Sequence, residues 1–440
     1  MKNGMLRFIS LLLIFLLLPL FSLGVFAEEE SSSSPPSLDA AELFVLYNLE
    51  NDRMIMQKNL DVEAPPSSTV KLMSGLLICE ALGDRVDEKV TLTAEMLRGG
   101  SGKPLGLAVG QTLSIRSLML AAFSGGYSDA ITALSVLGFG SSANLIDRMN
   151  ERAATLGMTS TVYKNITGFD TYGQKTTLRD SLKIAVAASK NELFMTVSSD
   201  YNTKIEFADG SWCFSYGSNE LLNKNSQFFC RSVRGMNSGL TDSGACIATF
   251  GRHNGASFIL IAMGCPSGDA RFELAQNVLD YVYNNYGYRT LLSSGSVVGE
   301  IEVKMAAMEI EKVNLVLLED LQVFAGEHEE LSALQYSLLL PQDGLTAPIS
   351  SDDTVAYYTV WNGTTQLASA RVTVGRAVER NDFLVLMDGV KSYLGGRAFK
   401  ATLVSLGVML VLSFILPSVA LASRQRKRRY VRQRGGFKLK

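Results

Sequence analysis

The sequence predicts an α+β (α/β) fold: an antiparallel sheet covered by helices, then a small all-β domain and a C-terminal transmembrane helix. Three observations carry that expectation. Helical patterns fill the middle of the chain between an N-terminal strand pair and two later strands, an order that lays helices over an antiparallel sheet. After Tyr288 the texture changes to short strands alone. Residues 401–423 carry no charge and are long enough to cross a bilayer.

The elements follow in order. Lys2 and Arg7 precede an apolar run from Phe8 to Phe26, and Ala27 closes a small-residue cleavage-like site. Residues 1–27 therefore read as a secretory signal peptide, with an uncleaved anchor as the alternative. EEESSSSPPS at 28–37 is a polar linker. AELFVLYNLENDRMIMQKN reads as two strands around a turn at Asn51-Asp52. Residues 68–82 place Val70, Met73, Leu76, Leu77 and Leu82 as a buried helical pattern, and the opening Ser and Thr predict a capped start. Further helices are expected at 116–123, 128–136, 142–156, 177–190 and 269–286, and strands at 245–250 and 257–263. In the β-rich part, IEVKM, VNLVLL, LQYSLLL, VAYYTVW and QLASARVTV are strands, with a hairpin turn at Asn362-Gly363. The expected domains are thus 38–290 and 295–382, then a stalk at 383–400, the membrane helix at 401–423 and a tail at 424–440.

Charge limits the partners. Of 41 Lys and Arg, two precede the first apolar run and nine lie in the tail, so segment 28–400 holds 30 against 43 acidic residues, a net −13. That balance argues against nucleic acid as a partner. The tail RQRKRRYVRQRGGFKLK is basic without an acid, which predicts that it stays cytoplasmic and that the body lies outside the cell membrane. Five cysteines make no disulfide framework, although Cys213 and Cys230 are open to pairing outside the cell. With two histidines and no CxxC spacing, neither a zinc site nor a mechanism that needs a His base is expected.

A nucleophile without a useful histidine needs another base. Ser68-Thr69-Val70-Lys71 sets a hydroxyl and an amine at i and i+3, on one helix face. Burial lowers a lysine pKa, so Lys71 can take the Ser68 proton, and the helix N-terminus favours a developing oxyanion. A second stretch, GMNSGLTDSG at 235–244, lies between strand-like segments and has the form of a site strand without its charge.

With PPSSTVKLMSGLLICEAL, SDAITAL, NITGFDTYGQKTTLRD, SNELL and VRGMNSGLTDSGACIAT, the chain resembles the D-alanyl-D-alanine carboxypeptidases, the low-molecular-mass penicillin-binding proteins. That family combines S-x-x-K, S-x-N and K-T-G elements. The resemblance implies a penicillin-binding/serine β-lactamase-like fold, a peptidoglycan stem peptide as substrate, β-lactams as covalent inhibitors and membrane attachment through the C-terminal helix. It assigns Ser68 as nucleophile and Lys71 as base, a mechanism that needs no metal or organic cofactor. Gly126-Tyr127-Ser128 falls where the family has Ser-x-Asn, so Ser128 stands for the amide as the third catalytic candidate; a placement on Ser124 is the alternative. Asn237-Ser238-Gly239 replaces Lys-Thr-Gly, and with Leu240, whose backbone N–H joins that of Ser68 in the oxyanion hole, it forms the expected substrate-binding strand. Phe123, Tyr127, Cys246 and Cys265 read as packing residues, and Asp170 and Asp180 as braces or caps. Two functions remain open: an impaired serine-type D-Ala-D-Ala carboxypeptidase, or an inactive fold that binds peptidoglycan or a partner. A β-lactamase fits the appended domain and membrane span poorly.

Overall fold

The computed structural model describes residues 34–307, 312–342 and 344–434. The signal-peptide reading of 1–27, most of the linker and the end of the basic tail lie outside the described residues. Two compact units are present: residues up to Thr290 with Gln322–Gln335 and Trp361–Ala368, and Leu291–Leu321 with Tyr336–Val360 and Ser369 onward.

The first unit starts with β1 (Leu43–Asn48) and β2 (Arg53–Lys58), paired around Asn51-Asp52 as the sequence predicts. A 3-10 turn, Ser67–Thr69, leads into α1 (Val70–Leu82), followed by the short pair β3 (Lys89–Thr91) and β4 (Thr112–Ser114). Then come α2 (Ile115–Phe123), α3 (Ser128–Phe139), α4 (Ser142–Thr155), α5 (Leu178–Ser189) and α6 (Glu192–Ser198). The hairpin β5 (Asn202–Glu206) and β6 (Trp212–Tyr216) precedes β7 (Val233–Thr241), β8 (Gly244–His253), β9 (Ala256–Cys265) and α7 (Gly268–Asn285).

The main sheet has the order β2-β1-β9-β8-β7, antiparallel throughout, so β7 is an edge strand. Strand periodicity sends Leu43, Val45 and Tyr47 of β1 into the core beneath α1–α6, and Phe44 and Leu46 into the core beneath α7. Apolar burial on both faces explains why β1 reads LFVLYN rather than alternating with polar residues. The stripe Leu274, Val278, Leu279 and Val282 of α7 is buried on the second face, as expected. α1 is buried nearly all round; each of its Leu and Met side chains contributes roughly 2 kcal/mol through removal from water.

The start of α1 differs from expectation. No side chain caps it; the Thr69 hydroxyl donates back to the Pro66 carbonyl at 2.5 Å, and Ser67 takes φ 46°. The 3-10 turn replaces the cap and turns Ser68 onto the sheet. The Cys213–Cys230 pairing does not form: all five cysteines are free thiols.

The later strands form a five-stranded sheet in the order Val297–Ile301, Val313–Leu317, Thr365–Val374, Ala356–Asn362 and Gln335–Leu339. The predicted Asn362-Gly363 turn joins two of them, with Gly363 at φ 60°. The stretch read as a stalk is largely helical, Asp382–Gly395, and is followed by one long helix, Arg397–Arg434.

Candidate active site

Ser68 sits in the 3-10 turn and Lys71 in the first turn of α1, both buried. The Ser67 hydroxyl meets that of Thr241 at 3.0 Å, tying this turn to the end of β7. Gly239 of β7 lies directly on the serine: a Cβ there would stand 2.5 Å from Ser68 Cβ and 2.9 Å from its Oγ. Only a residue without a side chain permits that approach.

The Ser68 hydroxyl is hydrogen-bonded to Cys246 Sγ at 2.8 Å. Cys246 pairs with Gly239 in the β7–β8 register, which places its thiol beneath the serine. Among the described residues, Lys71 makes no hydrogen bond to Ser68. Burial pulls the Lys71 amine down from its ordinary value to about 8; the Cys246 thiol opposes this shift, and the Lys103 cation adds to it. An amine of that pKa is partly uncharged near neutrality.

Asn237 is buried on β7, and among the described residues neither Nδ2 nor Oδ1 has a hydrogen-bond partner. Ser238 donates weakly to the Cys246 carbonyl at 3.3 Å. The Leu240 side chain is exposed beyond them. Behind the strand, Arg271 of α7 donates from Nη1 to the Gly239 carbonyl at 2.6 Å and lies over the Phe272 ring. It is buried, with no ion pair among the described residues, and burial lowers its guanidinium pKa.

The loop before α3 supplies the third side. Gly126 takes φ 72°, and a Cβ there would face Lys71 Cε and Ser218 Oγ, each at 4.0 Å. Ser128 points elsewhere: its N–H and its hydroxyl both donate to the Lys103 carbonyl, at 2.8 and 3.1 Å. The Ser124 hydroxyl donates to the Asp200 carbonyl. Lys103 Nζ rests 4.3 Å from the centre of the Tyr127 ring, whose hydroxyl accepts from the Tyr216 N–H at 3.3 Å. Tyr127 is thus a buried packing residue that also carries a cation.

Ser68 thus meets Gly239 directly, with Ser238 and Cys246 bonded to each other beside them, while the Ser128 hydroxyl is engaged with the loop at Lys103. Asp180 braces Ser160 and Thr161, and Asp170 accepts from the Ser243 N–H at the β7–β8 turn. Sequence reasoning missed Cys246 as the partner of the serine, and it missed Arg271 and Lys103. The i+3 rule gives Ser68 and Lys71 locally, but contacts across 178 residues follow only from sheet register. A separate surface cavity of about 370 Å³, lined by Leu77, Glu80, Phe139, Arg148 and Arg152, contains none of these groups.

A Ser-x-x-Lys sequence at the start of a buried helix, set against the edge strand of an antiparallel sheet between helices, defines the penicillin-binding class. The comparisons agree. The family model for D-alanyl-D-alanine carboxypeptidase matches residues 29–267, and that for the C-terminal domain of penicillin-binding protein 5 matches 286–380. The D-alanyl-D-alanine carboxypeptidase DacF of Bacillus subtilis is 21% identical over 385 residues, 87% of this chain and 97% of that protein. DacC of Escherichia coli is 24% identical over 355 residues, 76% of this chain and 83% of that protein. Penicillin-binding protein 5 from Haemophilus influenzae superposes with a TM-score of 0.58 at 20% identity, covering 79% of this chain and 99% of that one. A peptidoglycan synthesis regulatory factor (PBP3) from Streptococcus pneumoniae gives 0.62 at 16% identity, covering 77% and 99%. The chain belongs to the D-alanyl-D-alanine carboxypeptidase family of serine-type peptidases.

Proposed function

We propose that the chain removes the terminal D-Ala from peptidoglycan stem peptides, using Ser68 as nucleophile and Lys71 as base. The observation that carries this assignment is a buried Ser68 one helical turn from an amine pulled down to about 8, with the bare strand at Gly239 against it. Lys71 takes the hydroxyl proton as Ser68 Oγ bonds to the penultimate carbonyl carbon. The C–N bond breaks, and the proton passes to the departing amine, leaving an ester on Ser68. Water then cleaves the ester with the same amine as base, and Ser68 regains its proton. The substrate adds along the free edge of β7 as an extra strand, beside Asn237, Ser238, Gly239 and Leu240. The unpartnered Asn237 amide offers it a donor and an acceptor. The chain is anchored by its C-terminal helix, with the body outside the cell and the tail inside.

A second reading, a binding protein without turnover, is favoured by two observations. The Ser68 hydroxyl is engaged by Cys246 rather than by Lys71, and Asn237 brings no charge to the strand. Incubation with a labelled penicillin separates the readings. A covalent adduct that maps to Ser68, forms slowly and is abolished by Ser68→Ala is the expected result. Absence of any adduct after long exposure at high concentration selects the binding protein.

A further inference from the structure

The β5–β6 hairpin exposes one row of aromatic rings. Trp212, Phe214 and Tyr216 are 54, 45 and 54% exposed, whereas Cys213 and Ser215 turn inward. The rings contact in sequence, with centroids 5.2 Å apart for Trp212 and Phe214 and 6.1 Å for Phe214 and Tyr216. A second, polar row lies across the hairpin in register: Asn202 opposite Tyr216, Lys204 opposite Phe214, and Glu206 opposite Trp212. Lys204 bonds Glu206 at 2.7 Å and stands 5.4 Å from the Trp212 ring. One face therefore carries a stripe of flat apolar surface beside a stripe of donors and acceptors.

The end of the hairpin is tied to the loop of the candidate active site. The Tyr216 N–H donates to the Tyr127 hydroxyl, and the Ser218 N–H donates to the Ser124 carbonyl at 3.0 Å. The ladder thus begins on the loop that carries Gly126 against Lys71.

Nothing in the core requires three aromatic rings to face water here, and contiguous exposed apolar surface marks a binding site. The occupant must offer flat apolar faces and many polar groups together. A bilayer interior offers none of the second, and it would strip water from the Lys204–Glu206 ion pair at several kcal/mol per ion. A folded partner needs about 800 Å² on each side, far more than a stripe three rings long. A pyranose chain fits: each sugar has an apolar C–H face that stacks on a ring and an edge of hydroxyl and amide groups. We propose that the β5–β6 hairpin is a sugar-binding platform that holds the glycan strand of peptidoglycan while a peptide attached to it enters the Ser68 site. The proposal rests on the carboxypeptidase reading for its choice of polymer.

Glycan binding is testable without turnover. The probe is the soluble tetramer of β-1,4-linked N-acetylglucosamine, titrated into the full chain while the Trp212 emission is followed. A Trp361→Phe background leaves Trp212 as the only tryptophan. A saturable change is expected, and Phe214→Ser with Tyr216→Ser should weaken it about tenfold or more, since one stacked ring contributes on that order. Penicillin labelling of Ser68 and the melting temperature should stay unchanged in these variants, which reports an intact fold and separates this result from failure of the enzyme reading. In sedimentation, the parent and the variants should have the same mass. Three outcomes overturn the platform: no saturable change with the tetramer, ring-dependent binding to phosphatidylglycerol vesicles but not to the sugar, or a ring-dependent dimer.

Discussion

Gly239 shows how little freedom the Ser68 site has. Gly239→Ala puts a methyl group inside the van der Waals envelope of Ser68, so the hydroxyl must move. Displacing a reacting group by about 1 Å costs on the order of a hundredfold in rate. Penicillin labelling of Gly239→Ala should therefore fall about that much, while circular dichroism stays that of the parent. Asn237 has the opposite character. Its two unpartnered buried atoms each cost about 1–3 kcal/mol, so Asn237→Leu should raise the melting temperature by a few degrees while slowing acylation. A melting point that does not rise would mean that Asn237 already has its partners. The acylation rate should climb with pH and level off above about 8, because the reactive species is the uncharged Lys71 amine. The Lys103 cation helps hold that value down, so Lys103→Met raises it and moves the climb to higher pH; Lys103→Arg should leave it in place. Placing a serine at Gly126 is poorly favoured by the backbone, since φ 72° carries a penalty of about 1–2 kcal/mol for an L residue. A serine at position 126 is therefore opposed by the loop's conformation itself.

At the scale of elements, local signals were legible where one residue sets one feature. The period of α7 and the strand pair around Asn51-Asp52 could be read directly from the sequence. The Asp209-Gly210 turn of the β5–β6 hairpin was equally readable and was missed, with Gly210 at φ 85°. So was α6, whose Asn191 side chain accepts from the Phe194 N–H at 2.8 Å as a plain N-cap. What the sequence could not give is the packing of α6 against β7, where a Cβ on Gly235 would meet Ser198 Oγ at 2.6 Å. The pairing of Ser68 with Cys246 was hidden for the same reason: both are long-range consequences of register, with no local pattern. Because α6 backs the candidate substrate strand, its cap has a measurable role. Asn191→Ala should lower stability by about 1 kcal/mol in urea unfolding of the described first unit, the typical loss for an N-cap. An unchanged midpoint would show that tertiary packing alone holds α6.

The whole molecule joins an acidic body to a long apolar helix and a basic end. Arg397–Arg434 is one continuous helix, and Pro417 does not break it. Leu403, Val404, Met409, Leu410, Phe414 and Leu416 are all exposed along it. Such a surface is stable in hydrocarbon and not in water, and its span from Arg397 to Arg429 is long enough to cross a bilayer. In the proposed topology, charge sets the direction. Arg424, Arg426, Lys427, Arg428 and Arg429 crowd the far end without an acidic residue, and such clusters stay on the cytoplasmic side. The candidate site would therefore face the cell wall, where a peptidoglycan peptide is met. Protease added to intact cells that express a C-terminally tagged chain should degrade the body and leave a short tagged fragment of the helix and tail. A body protected until the membrane is permeabilised would place Ser68 in the cytoplasm, away from any cell-wall peptide, and would remove the basis for the carboxypeptidase and glycan-platform proposals together.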